Sequence, residues 1–234
     1  MNLLLLFPED FIDKQLVRIT ARRQQHLLSI QKVQIGDTLT VGKVNGQIGT
    51  GQVLSIETTH IDLEVNWQKD APPPLPLTLI IALPRPKMLK RIIQTCATMG
   101  VKDIYFINAL KVEKSFWQTP WLTEPKLEEN LILGLEQGID TVMPVIHQRK
   151  RFKPFVEDEL PTIAAQTKKW VAHPGGKVDC PRHFTAPTTL AIGPEGGFID
   201  YEVAKLEKAG FTVVDMGPRI LRVETAVTAL LSRF

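Results

Sequence analysis

The sequence predicts an α/β protein in two parts, a small N-terminal β-barrel followed by a larger domain built on a parallel sheet. Three observations carry this reading. Up to about residue 67 apolar and polar residues alternate in short runs punctuated by turn dipeptides. Pro72, Pro73, Pro74 and Pro76 then crowd a stretch that can sustain neither a helix interior nor a sheet ladder. Beyond it, short continuous apolar runs alternate with amphipathic stretches, the pattern of buried parallel strands and crossover helices. The expected boundaries are a barrel over 1–68, a stiff linker over 69–76 and the α/β domain over 77–234.

In the first part, strands are expected at Leu39–Val41, Gly51–Ile56 and Ile61–Val65, with turns at Gly36-Asp37 and Asn45-Gly46. A helix could run through the basic stretch, where Ile19, Leu27, Leu28 and Ile30 keep no strict period of two. In the second part, the strand runs are Leu77–Leu83, Ile104–Ile107, Val142–Ile146, Trp170–Ala172, Leu190–Ile192 and Thr212–Val214. Between them, Met88–Met99 sets Leu89, Ile92, Ile93 and Cys96 on one helical face, with Gly100 just past its end. Lys126–Gln137 repeats the pattern with Leu127, Leu131 and Leu135. Tyr201–Ala209 stops at Gly210, and Glu224–Phe234 closes the chain.

Composition excludes several classes. With 234 residues, 44% of them hydrophobic, the chain can bury a full core, so disorder and fibre fall away. The apolar run Leu3–Phe7 meets Glu9 and Asp10 without a basic leader, and no run approaches the roughly 20 apolar residues of a bilayer span. Cys96 and Cys180 make neither a disulfide framework nor a zinc set. A cytoplasmic protein without metal or membrane partner is expected. The net charge of +3 names no partner, but its distribution is uneven. From Lys14 to Gly36 there is no acid, while Arg18, Arg22, Arg23 and Lys32 all fall there. That segment is either a polyanion contact or a solvated basic face. Arg149, Lys150, Arg151 and Lys153 form a second basic cluster of equal ambiguity.

In an open α/β sheet a ligand sits at the carboxyl ends of the strands, so the residues following each run are informative. Three such loops combine glycine with proline: His173-Pro174-Gly175-Gly176, Gly193-Pro194-Glu195-Gly196-Gly197, and the stretch from Gly217-Pro218 to Thr225. Singly, each is an ordinary turn. Together, at one sheet edge, they would wall a cleft with backbone N–H and C=O groups suited to an adenine ring and a compact polar tail. The P-loop and dinucleotide fingerprints are both missing, as is a Gly-x-Ser-x-Gly elbow. None of the five histidines has an i, i+4 partner for metal, and His173 alone stands near the expected cleft.

Two stretches, Ile192-Gly193-Pro194-Glu195-Gly196-Gly197-Phe198 and Met216-Gly217-Pro218-Arg219-Ile220-Leu221-Arg222-Val223-Glu224-Thr225-Ala226, resemble the RsmE family of ribosomal RNA methyltransferases, of the SPOUT superfamily. His173-Pro174 falls where that family has a His-Pro pair, and the resemblance covers essentially the whole chain. It implies a PUA-like β-barrel, a SPOUT domain with a C-terminal trefoil knot, and a homodimer. It also implies S-adenosyl-L-methionine as cofactor and methylation of N3 of a uridine in small-subunit (16S) ribosomal RNA. A retargeted relative that binds RNA and cofactor but modifies another site, or none, is the alternative. The chain departs from the family at Thr95 and Thr98, where a lysine and a glutamate are usual, and at Lys114, Asp140 and Val223. Glu136-Gln137 matches. The cofactor motifs are thus intact while the substrate-facing half differs.

The cofactor residues this implies are His173, Gly175, Ile192, Gly193, Glu195, Gly196, Gly197, Met216, Gly217, Ile220, Leu221, Val223, Thr225 and Ala226. An imide N–H is a poor nucleophile until its proton leaves or its developing charge is stabilised. Arg222 is the candidate cation, unless it only pairs with Glu224. Glu195 is the candidate positioning group or proton acceptor, unless it is a helix-entry carboxylate satisfying backbone donors. Arg18, Arg22, Arg23 and Lys32 are the candidate RNA contacts. The last helix, apolar at Ala226, Val227, Ala229, Leu230, Leu231 and Phe234, is expected to pair two copies.

Overall fold

The computed structural model describes residues 2–234, and the chain divides into two units, Met1–Pro73 with Ile132–Met143, and Pro74–Leu131 with Pro144–Phe234. In the first unit β1 (Leu4–Leu6), β2 (Leu16–Thr20), β3 (Thr38–Lys43), β4 (Ile48–Ile56) and β5 (His60–Lys69) form one sheet in the order β1-β3-β4-β5-β2. β1 runs parallel to β3, and the other neighbours are antiparallel. Period-two alternation turns Val17, Ile19, Val41, Val53, Ile61, Leu63 and Val65 to one side, where Leu4, Leu6 and Leu27 complete a core. Each such side chain contributes about 1.5–3 kcal/mol by leaving water. Among the described residues no ladder joins β2 back to β1, so the hydrogen bonding is that of an open sheet.

The basic stretch is not one helix. Its first part is β2, and only after Ala21, at φ 51°, does α1 (Ala21–His26) begin. The segment 132–143 joins this unit through specific bonds, which a boundary drawn along the sequence misses. Asn2 and Leu3 donate their N–H groups to the Glu136 carbonyl, and Met143 N–H is held by Asn45 Oδ1 at 2.9 Å. β5 also continues to Lys69, into the start of the expected linker.

The second unit contains β6 (Leu77–Ala82), α2 (Pro86–Thr98), β7 (Asp103–Ile107), α3 (Glu124–Gly138), whose last turns belong to the first unit, and β8 (Val145–Arg149). There follow α4 (Phe152–Pro154), α5 (Leu160–Ile163), β9 (Lys168–Ala172), β10 (Val178–Asp179), β11 (Thr188–Ile192), α6 (Asp200–Lys208), β12 (Thr212–Asp215) and α7 (Val223–Leu231). The sheet is parallel throughout, in the order β10-β12-β9-β11-β6-β7-β8. β6 and β11 lie inside it, with Leu79, Ile80, Ile81, Leu190 and Ala191 all removed from solvent, which is why their sequences read as unbroken apolar runs.

Two features position the site. The chain steps from β6 to β7 and β8 in one direction, then places β11, β9 and β12 on the other side of β6, so the order reverses there. β12 also enters between β9 and β10, two strands that precede it. Two expectations need correction. β8 begins at Val145 rather than Val142, because Thr141 and Met143 are already bonded to Asn45 and Gly46 and Pro144 has no N–H for a ladder. The last helix stops at Leu231, since Arg233 donates to the carbonyls of Cys180 and Pro181 and its own carbonyl accepts from Phe184.

Candidate functional site

The carboxyl ends of β9, β11 and β12 converge on a cleft of about 90 Å³. Its walls are the three glycine-proline loops. Of the residues expected there, His173, Ile192, Gly193, Glu195, Gly197, Met216, Gly217, Ile220, Leu221, Val223 and Ala226 line it. Gly175, Gly196 and Thr225 do not, although each belongs to a loop that does.

The loops are tied to one another by Asp215, the last residue of β12. Its Oδ2 accepts the Gly175 N–H at 2.9 Å and its Oδ1 the Gly217 N–H at 2.7 Å. These two bonds hold its carboxyl below the usual carboxylate range, with His173 adding attraction. Sequence reading passed over Asp215; its place at a strand end directly before Met216-Gly217-Pro218 was the available signal. Glycine is required by contact rather than by style at two points. A Cβ on Gly176 would lie 2.8 Å from the backbone carbon of Val214, and one on Gly193 would lie 3.0 Å from the Phe198 nitrogen. Phe198 is buried and meets Phe152, giving the Gly193–Gly197 loop a packed floor.

Glu195 is exposed and its Oε1 accepts the Arg85 N–H at 3.0 Å, at the residue that precedes α2. The backbone-donor reading of this carboxylate is therefore realised, while the residue also lines the cleft. Lys111 Nζ donates to the Gly196 carbonyl at 2.6 Å, and buried Glu202 accepts from Leu110 N–H and Ile199 N–H. Together these bonds fix the Gly193–Gly197 loop against the segment that follows β7.

Arg222 does not line the first cleft. It borders a second one, shared with Glu195 and lined also by Arg85, Lys87, Met88, Phe116 and Glu224. No ion pair joins Arg222 to Glu224. Cysteine chemistry is remote: burial pushes the Cys96 thiol up to about 12.

The expected RNA contacts lie in the first unit, and two of them hold carboxylate partners. Arg18 makes a two-pronged pair with Asp62, both bonds at 2.8 Å, and Arg23 is bound by buried Asp10. The acid-free stretch in sequence is thus locally neutralised by acids from elsewhere in the chain. Arg22 and Lys32 are exposed. Glu136, which matched the RsmE motif, is buried under the N-terminal strand, where its Oε1 accepts the Leu5 N–H and burial raises its carboxyl above the ordinary range. Among the described residues there is no cluster of three metal-ligating side chains and no helix long and apolar enough to cross a membrane.

A parallel α/β sheet whose strand ends carry a backbone-walled cleft, with a groove of mixed charge adjoining it, defines an α/β protein with two neighbouring candidate binding sites. The RNA methyltransferase domain family matches residues 71–234, and the chain belongs to that family. It is 26% identical over 240 residues to ribosomal RNA small subunit methyltransferase E of Treponema pallidum, covering 98% of this chain and 88% of the relative. It is 28% identical over 235 residues to the Synechocystis protein of the same name, covering 98% and 76%. The fold superposes on the Neisseria gonorrhoeae ribosomal RNA small subunit methyltransferase E, crystallised with S-adenosyl methionine, at a TM-score of 0.77 and 21% identity, covering 99% and 95% of the two chains.

Proposed function

We propose that this chain uses S-adenosyl-L-methionine to methylate N3 of a uridine in 16S ribosomal RNA, in the cytoplasm and as a homodimer. The observation that carries the reading is the cleft at the ends of β9, β11 and β12, whose three glycine-proline loops match the RsmE motifs. The cleft suits the cofactor: backbone of Gly193, Gly197 and Gly217 lines it, and apolar Ile192, Leu221 and Val223 offer a surface for an adenine ring. In this reading residues 1–68 are a PUA-like barrel for RNA, 69–76 a linker and 77–234 a SPOUT domain. The insertion of β12 between β9 and β10 supports a trefoil knot. The homodimer rests on the family resemblance alone. α7 turns Val223, Val227, Leu230 and Leu231 into its own unit, leaving Thr225, Thr228 and Ser232 outward.

When bound, the cofactor supplies an electrophilic methyl on a cationic sulfur: the N3–carbon bond forms as the carbon–sulfur bond breaks, and the sulfur keeps the electron pair as a neutral thioether. The chain's residues do the rest. The three loops would hold the cofactor beside the acceptor base and exclude water. Arg222 stabilises the negative charge that develops on the uracil as N3 loses its proton, and the proton passes to Glu195 or to solvent. Isothermal calorimetry tests the cofactor assignment. Heat of binding for S-adenosylmethionine and S-adenosylhomocysteine is expected; none with folded protein at millimolar ligand contradicts it.

A further inference from the structure

We propose that the second cleft, lined by Arg85, Lys87, Met88, Glu113, Phe116 and Arg222, seats the acceptor nucleotide of the RNA, with Arg85 and Lys87 on its phosphates. This rests on the reading of the neighbouring cleft as the cofactor site and deepens it.

The first support is the state of the cations. Arg18, Arg23, Arg149 and Lys205 each hold a carboxylate partner. Arg85, Lys87 and Arg222 line one cleft with three acids, Glu113, Glu195 and Glu224, yet none of their side chains is in an ion pair. Glu195 spends an oxygen on the Arg85 backbone N–H instead. The groove's formal charges balance, but with none of the three cations in an ion pair their guanidinium and ammonium donors are open to a phosphate.

The second support is continuity. The two clefts share Glu195, and Arg222 sits in the cleft-lining stretch between Leu221 and Val223. A base seated in the second cleft therefore borders the first. The third is size and surface. At about 950 Å³ the groove is larger than the first cleft, at about 90 Å³, and Met88 and Phe116 give it an apolar part for a base. Enzymes that modify a base take it out of the stack into such a pocket, reading it by apolar contact and a few polar groups. This places an RNA grip on the second unit, at residues outside both basic clusters that the sequence singles out.

The test is anisotropy of a labelled, uridine-containing single-stranded segment of 16S ribosomal RNA on protein saturated with S-adenosylhomocysteine, titrated with salt. An Arg85→Gln, Lys87→Gln double variant should bind at least about tenfold more weakly near 0.1 M salt, with the log–log salt slope shallower by about 1 to 2. S-adenosylhomocysteine affinity should be unchanged, since neither side chain lines the first cleft. Met88→Ala should raise KM for RNA with little change in the salt slope. Unchanged RNA affinity and slope in the double variant, or no salt-dependent binding by the wild type, overturns the proposal. Wild type that binds RNA through these cations but transfers no methyl group overturns the methyltransferase reading instead.

Discussion

Arg222 and Asp215 bear on the candidate site differently, Arg222 as a cation bordering the adjoining groove and Asp215 as a tie between two loops. Arg222 is exposed, precedes α7 and borders the groove beside the cofactor cleft without lining that cleft. If it stabilises charge that exists only as N3 loses its proton, Arg222→Ala should lower single-turnover methyl transfer by on the order of a hundredfold or more, the scale of removing one electrostatic donor. Cofactor affinity should be retained, and Arg222→Lys should restore only part of the rate because a point charge lacks the planar fork. Near-normal turnover in the alanine variant would remove Arg222 from the chemistry; a parallel loss of cofactor affinity would move it into the cofactor shell. Asp215 instead organises backbone, and as a single acid directly after the apolar run Thr212–Val214 it carries no motif of its own. Its partners, Gly175 and Gly217, lie 40 and 2 residues away, a relation no local pattern encodes.

At the scale of elements, the periodicities that reflect burial were legible and those that reflect distant partners were not. β6 and β11 announced themselves because both faces are covered, and α2 because Leu89, Ile92, Ile93 and Cys96 repeat at helical spacing and are buried. β8 was displaced by three residues because the bonds to Asn45 and Gly46 that hold the chain before it come from far away in sequence. β10 is two residues long and exposed, so it has no burial signature at all. The loop between β9 and β10 gives the prediction of this scale. Gly176→Ala would set a methyl against the Val214–Asp215 backbone, which cannot move without disturbing β12 and the Asp215 bonds. Its melting temperature should fall by several degrees and its cofactor affinity by at least tenfold, the former the usual scale for about 1–2 kcal/mol in a domain of this size. Wild-type values in both measurements would show that the loop is more pliable than its packing indicates.

Considered whole, the molecule shows how far local sequence carries and where charge must be read in three dimensions. The α/β class and its parallel sheet followed from residue texture. The acid-free stretch from Lys14 to Gly36 did not survive as a uniform basic face, because Asp10 and Asp62 from neighbouring segments occupy Arg23 and Arg18. The segment 132–143 belongs with the first unit although 58 residues of the other unit intervene, since Pro74–Leu131 lies between its two pieces. If the family's pairing holds, light scattering at micromolar concentration should report twice the 26.3 kDa chain mass, and a monomer would count against it.

The central claim, that this chain places a methyl group on uracil N3 in small-subunit ribosomal RNA, is tested most directly by the RNA itself. Small-subunit RNA from cells lacking the protein should be incubated with purified protein and isotopically labelled S-adenosylmethionine, digested to nucleosides and resolved by mass spectrometry. The account predicts label in 3-methyluridine at a single position, strongly reduced with the Arg222→Ala protein. Label in another nucleoside, or no transfer from protein that binds the cofactor, would contradict it.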